Sequence, residues 1–83
     1  MKVDYAVRAL IELADGSGTK QSADIAERWN IPAAYLDQLL TSLRKAGLVS
    51  SIRGPQGGHM LARPAAAITV RDVFEALEGP LLP

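Results

Sequence analysis

Between Ser22 and Arg63 the spacing of apolar residues changes once, and that change restricts the chain to few architectures. Before it, Ile25, Ala26 and Trp29 share one side of a short helix that Ser22 is placed to cap. Asn30 and Ile31 make a tight turn. Pro32 suits the first turn of the next helix, where a missing N–H costs nothing. Leu36, Leu39, Leu40 and Leu43 then follow the i, i+3, i+4, i+7 spacing of a core-facing stripe. This helix runs to Ala46 and stops at Gly47, a natural residue for the left-handed position after a helix. Beyond it, Leu48 to Arg53 and His59 to Arg63 read as short strands around Gly54-Pro55-Gln56-Gly57-Gly58, a turn-rich hairpin connection. Two helices around a tight turn, followed by a hairpin, predict a winged helix-turn-helix.

The flanks add a helix on each side. Residues 3 to 15 have helical spacing and end at Gly16-Ser17-Gly18. Their polar residues Asp4, Arg8, Glu12 and Asp15 form one narrow stripe, on which Arg8 can pair with Asp4 and Glu12. The apolar surface is wider than one core needs. Tyr5, Ala9 and Leu13 lie on the flank away from Val7, Leu10 and Ala14, and this second flank is expected to meet another subunit. Thr19 to Gln21 reads as a short strand, and Pro64 to Ala67 as a loop. Thr69 begins the last helix with Asp72 three residues on, a relative of the capping box. That helix is expected to bury Val70, Val73, Phe74 and Leu77 and to stop at Gly79-Pro80. The expectation is an α+β, mostly helical fold, one domain over residues 1–83, with a two- or three-stranded β wing.

Composition excludes more than it suggests. The 83 residues hold no cysteine and one histidine, so there is no zinc set and no cofactor is expected. No nucleophile stands beside a base in a recognisable pattern, which reads as no enzyme. The glycines of the hairpin lie between two strands, unlike a phosphate-binding loop, which opens a helix. Arg8 and Glu12 break the best apolar run, and the N-terminus lacks a signal-peptide pattern; both fit a cytoplasmic protein. The net charge is zero, but its distribution is uneven. Met1 to Asp37 carries four basic and six acidic residues; Gln38 to Arg71 carries Arg44, Lys45, Arg53, Arg63 and Arg71 and no acid. A basic middle between acidic flanks can form one basic face on a neutral chain.

Those features make double-stranded DNA the expected partner. Opposite the leucine stripe of helix 32–46 lie Ala34, Asp37, Gln38, Thr41 and Lys45. In a helix-turn-helix this half of the helix enters the major groove. Gln38 suits adenine N6 and N7, Asp37 suits cytosine N4, and Thr41 suits a thymine methyl or a phosphate. In the wing, residues 48–63, Arg53 with Gly54 and Pro55 can reach a phosphate or the minor groove. Tyr35 stands between local packing and a backbone contact, and His59 opens the second wing strand as a surface or phosphate-contact residue. Ser22 completes the DNA-contacting set.

The stretch from Ile25 to Pro64, with Y-L-D-Q-L-L, L-R-K-A-G-L-V and R-G-P-Q-G-G at this spacing, closely resembles the DNA-binding domain of the IscR-like regulators, the Rrf-two family. D-Y-A-V-R-A-L and I-T-V-R-D-V-F-E-A-L-E-G-P look like that family's first and fourth helices. The resemblance implies a homodimeric bacterial transcription regulator, read here as a repressor, that binds promoter DNA. It assigns the major groove to Tyr35, Asp37 and Gln38 and the minor groove to Arg53, with Gly54 and Pro55 matching the same wing motif. Family members often sense iron–sulfur clusters through three cysteines after the fourth helix, and a longer helix beyond forms much of their dimer interface. This sequence stops before both, so no cluster is expected. Asp37 stands where glutamate is more usual, Ala34 where serine is common, and His59 where tyrosine is usual. Two rival expectations are a winged-helix protein-interaction module and a regulator fragment that needs a full-length partner to bind DNA.

Overall fold

A computed structural model of the chain describes residues 2–15, 18–55 and 57–79. Its elements are α1 Lys2–Leu13, α2 Ser22–Trp29, α3 Ala33–Lys45, β1 Val49–Ile52, β2 Gly58–Leu61 and α4 Val70–Glu78, with a 3₁₀ turn at Ala65–Ala67. The fold is an α+β winged helix-turn-helix with a two-stranded antiparallel wing. Element ends differ from the sequence expectation by a residue or two. Gly16, Ser17, Gln56 and Pro80, named above as turn or stop residues, lie outside the described residues.

The turn between α2 and α3 rests on Asn30, which takes the left-handed conformation (φ 54°, ψ 49°). Asparagine is among the few residues that enter that region at low cost. The next N–H, from Ile31, reaches back to the Ala26 carbonyl at 2.9 Å, and the Ile31 side chain is buried. Pro32 then holds extended backbone, and its carbonyl accepts the Leu36 N–H at 2.9 Å to start α3. The far end of α3 closes in the same way: Gly47 sits at φ +81° and the Leu48 N–H bonds the Leu43 carbonyl at 3.0 Å. Each junction therefore satisfies helix-end carbonyls and turns the chain sharply.

Ser22 does not cap α2. Gln21 holds the extended backbone that a cap position needs (φ −77°, ψ 143°), Ser22 is already the first helical residue, and no side chain caps this end. Thr69 does cap α4. Its hydroxyl accepts the Asp72 N–H at 3.0 Å and the Asp72 carboxylate accepts the Thr69 N–H at 2.9 Å, a reciprocal capping box.

α3 packs against α1, α2, α4 and β1. Leu36, Leu39, Leu40 and Leu43 are all buried, as their spacing predicts, and each contributes about 1.5–3 kcal/mol on leaving water. Ala6, Ala9, Leu10 and Leu13 of α1, Ile25 and Ala26 of α2, Leu48, Val49 and Val73 complete the core. The wing pairs Val49 with Leu61 and Ser51 with His59. Beside it, Lys20 and His59 exchange two backbone hydrogen bonds, at 2.9 and 2.8 Å. The strand expected over Thr19 to Gln21 is thus a single bridge at Lys20.

Three packing expectations are corrected. Ala9 and Leu13 are buried by the chain's own helices, and Tyr5 meets Tyr35 edge-on at 5.4 Å, so the Tyr5–Ala9–Leu13 flank is not left for another subunit. The exposed apolar residue of α1 is instead Ile11, at 55%. Second, α4 buries Val73 and half-buries Leu77, but Val70 is 69% and Phe74 38% exposed. The helix packs on α1 and α3, and this packing leaves its first residue, Val70, largely exposed. Third, Arg8 pairs with Asp4 at 3.1 Å and lies over the Tyr5 ring, while Glu12 is taken by other partners. Among the described residues, no helix is long and apolar enough to cross a membrane.

Candidate nucleic-acid interface

The outer face of α3 follows from its inner one. With four leucines turned inward, Ala34, Asp37, Gln38, Arg44 and Lys45 are exposed and Thr41 is half-exposed. The Thr41 hydroxyl donates to the Asp37 carbonyl at 2.8 Å, one turn back, which turns the side chain along the helix. No acid stands in the first turn of α3, and Arg44 and Lys45 stand in its last, where they complement the helix dipole. Tyr35 is half-buried against Tyr5, so its ring serves packing between α1 and α3. Ser22 is half-buried at the start of α2.

The hairpin stands beside this face. His59 and Ser51 are cross-strand partners, and their Nδ1 and Oγ atoms are 2.9 Å apart. They share the side of the hairpin that carries Val49 and Leu61 toward the helices. Partial burial holds His59 below the ordinary histidine range; Asp37 on α3 pulls the other way, and Arg44 adds to the lowering. β1 packs on α3 and pairs with β2, which brings the wing next to that helix.

Arg53, Gly54 and Pro55 are exposed at the hairpin tip. Gly54 sits at φ +110° with open space around it, a turn position that suits glycine. Gly57 and Gly58 serve a different purpose. A β-carbon on Gly57 would lie 2.0 Å from the Ile52 carbonyl oxygen, and one on Gly58 would lie 2.6 Å from the Lys20 carbonyl oxygen. These two glycines admit the chain's own backbone. The Gly57 N–H closes the turn on the Gly54 carbonyl at 2.9 Å, and the Gly57 carbonyl accepts from the Gln21 side-chain amide.

The basic residues divide sharply. Lys20 is held by Glu12 at 2.9 Å and by Asp15, Arg28 by Glu12 at 2.9 Å, and Arg71 by Glu75 at 3.4 Å. Among the described residues, no ion pair includes Arg44, Lys45, Arg53 or Arg63. Four of the five cations in the acid-free stretch thus enter no ion pair among the described residues, and Arg63 helps to lower the pKa of Asp72. Lys20 and Gln21, which join the wing to the segment ahead of α2, are not singled out by residue type in the sequence. The strand-like reading of Thr19 to Gln21 and the placement of residue 21 before a helix are the hints to them.

A metal is poorly served by these residues. The chain has no cysteine, its one histidine is engaged with Ser51, and no group of three His, Cys, Asp or Glu among the described residues can hold an ion. The donor set does not fit iron or an iron–sulfur cluster.

A family model described as Rrf2, iron-dependent transcriptional regulator, matches residues 1–83. The HTH-type transcriptional regulator IscR of Cereibacter sphaeroides is 45% identical over 78 residues, 89% of this chain and 50% of that one. The regulator of the same name from Escherichia coli K12 is 47% identical over 76 residues, 89% of this chain and 47% of that one. The chain spans about half the length of the curated relatives it matches. Among solved structures, CymR, the global cysteine regulator of B. subtilis, superimposes with a TM-score of 0.90 at 44% identity, covering 100% of this chain and 66% of that one. IscR of T. potens gives 0.89 at 47% identity, covering 95% and 59%.

Proposed function

Since the chain belongs to the Rrf2 family of transcriptional regulators, we propose that these 83 residues are one DNA-binding domain that recognises a promoter by sequence and acts there as a repressor. One observation carries the reading: among the described residues Arg44, Lys45, Arg53 and Arg63 enter no ion pair, and they lie at the end of α3, at the wing tip and just after the wing.

Affinity comes from Arg44, Lys45, Arg53 and Arg63 against phosphates, and specificity from base edges. Gln38 presents the amide that pairs with adenine N6 and N7, and Asp37 an acceptor for cytosine N4. Small Ala34 lets the start of α3 approach the groove floor. Arg53, at the tip with Gly54 and Pro55, reaches a phosphate at the edge of the adjacent minor groove. Thr41, with its hydroxyl turned back along the helix, keeps its methyl for thymine. Burial favours the neutral form of His59, which contributes a polar contact. One chain carries one α3 and one wing, enough for a half-site, so the working species is a homodimer on two half-sites about one DNA turn apart. The activity is binding without catalysis, in a bacterial cytoplasm. Any iron or cluster chemistry in this family needs ligands other than these residues.

The test is fluorescence anisotropy of the chain against a labelled random duplex of roughly three helical turns, titrated at several salt concentrations. The expected result is binding whose log–log dependence on salt has a slope of roughly −4 per bound chain, one unit for each phosphate contact. No binding at low salt overturns the reading and leaves a protein-interaction module.

A further inference from the structure

The wing is a two-stranded hairpin whose residues Ser50, Ser51, Ile52 and Met60 are exposed, so it buries little surface of its own. Hairpins of this kind are marginal unless something else holds them. Val49 and Leu61 pack its base on the helices, and the two-residue segment ahead of α2 holds it nearer the tip. Lys20 binds the wing through its backbone, in the double exchange with His59. Gln21 binds it through its side chain: Nε2 donates to the Gly57 carbonyl. That acceptor fixes which end of the amide faces the wing, because only the NH₂ end can donate.

The two ends of this link are each anchored. The Gln21 carbonyl accepts the Asp24 and Ile25 N–H groups at 3.1 and 3.2 Å, so its backbone belongs to the start of α2. The Gly57 N–H closes the turn that carries Gly54 and Pro55, next to Arg53. Gly57 and Gly58 carry no β-carbon, and the contact distances given above show that one would collide at either position. The Gln21 amide is the side-chain tie nearest the wing tip, and it joins the wing to the first helix of the helix-turn-helix.

We propose that Gln21 is a positioning residue for the wing, whose hydrogen bond to Gly57 presents Arg53 and the α3 face to DNA as one rigid unit. The inference rests on the DNA-binding reading above. Its energetic basis is preorganisation: a wing held in its bound pose loses less conformational freedom on binding. Gln21 suits this assignment because its side chain makes no capping hydrogen bond to α2, so its amide can be removed without uncapping the helix.

The experiment is a double-mutant cycle with the full chain, its Gln21→Met and Arg53→Ala variants and the double variant. The probe is a duplex that the chain itself enriches from a randomised library. Methionine keeps the length of glutamine without a donor. Gln21→Met is expected to weaken binding about three- to tenfold, the range of one neutral hydrogen bond. The effect of Arg53→Ala should then be smaller in the Gln21→Met background than alone, because a loose wing no longer holds the arginine in place. Equal effects in both backgrounds, or wild-type affinity in Gln21→Met, overturn the proposal. A second measurement does not depend on DNA. Amide hydrogen exchange should quicken at Gly57 and His59 in Gln21→Met while Leu40 and Leu43 of α3 keep their rates; unchanged exchange at Gly57 also overturns it. A chain that binds no duplex while Gly57 exchange still responds contradicts the DNA reading and leaves the mechanical link standing.

Discussion

The indole Nε1 of Trp29 donates to the Glu12 carboxylate at 3.0 Å. The same carboxylate accepts Lys20 at 2.9 Å and faces Arg28 at 2.9 Å, so one α1 side chain, 12% exposed, gathers three donors from α2 and the segment before it. The ion pairs with Lys20 and Arg28 need the ionised carboxylate, and all three donors favour it. The hydrogen bond from Lys20, then that from Trp29, hold Glu12 below the ordinary carboxylate range. Asp72 is lowered too, chiefly by the Thr69 backbone N–H.

The sign of the pH effect follows. A depressed folded pKa stabilises the fold above the unfolded carboxylate pKa of about 4.3, and that stability is lost as pH falls through the folded value. Thermal melts followed by Trp29 fluorescence should decline gently below about pH 6.5, as the unfolded chain takes up the proton that burial disfavours on His59, and fall steeply below about 4. Glu12→Gln should melt lower at neutral pH and show a shallower acid limb. An acid limb identical to wild type contradicts the assignment.

Truncating the leucine stripe tests the core. Leu36→Ala or Leu43→Ala empties a site with no solvent exposure and should cost about 2–5 kcal/mol in urea denaturation. A loss under about 1 kcal/mol would show that the site collapses or that α3 is packed otherwise.

Arg53→Ala should weaken binding to an enriched duplex by about 1–3 kcal/mol and leave the melting temperature unchanged, since its guanidinium has no ion-pair partner among the described residues. Unaltered affinity means that the wing tip does not touch DNA.

Gln38→Ala and Lys45→Ala should separate base reading from phosphate binding. The first should relax base preference in a selection experiment with little change on random duplex. The second should weaken all duplexes alike and reduce the salt slope by roughly 0.9, one phosphate contact. A uniform loss from Gln38→Ala removes it from the base-reading set.

Thr69→Ala takes away one half of the reciprocal cap on α4 and should cost about 1 kcal/mol of stability. The cap lies outside the α3–wing face, so duplex affinity of the folded protein should not change. An affinity loss would tie α4 to the interface.

The helix-turn-helix was legible because its signals are local. Leucines at helical spacing, Asn30 and Gly47 in left-handed positions, and Thr69 with Asp72 all act within one or two turns of chain. Their geometry needs no distant partner, and each stands where its residue type predicts. The exposed face of α3 followed, since a helix that buries four leucines must turn Asp37 and Gln38 outward.

Apart from Ser22, a local cap signal displaced by one residue, the misreadings share one cause. The periodicity of α1 shows that Tyr5, Ala9 and Leu13 are apolar, but it does not say whether another subunit or the chain's own α2 and α3 will cover them. Phe74 and Leu77 have equal claims to the core until α4 is laid on α1 and α3, which shelter the second more than the first. Glu12 has Arg8 one turn away on its own helix, yet Lys20, Arg28 and Trp29 reach it once the chain has turned back. In the same way the tie from Gln21 to Gly57 spans 36 residues and leaves no periodic trace. The sequence by itself determined the elements, their order and their inner faces, because backbone preference and hydrophobic spacing are short-range. Tertiary structure alone decided which flank is covered, which acid meets which base and what holds the wing, because those contacts exist only after loop closure brings distant residues together.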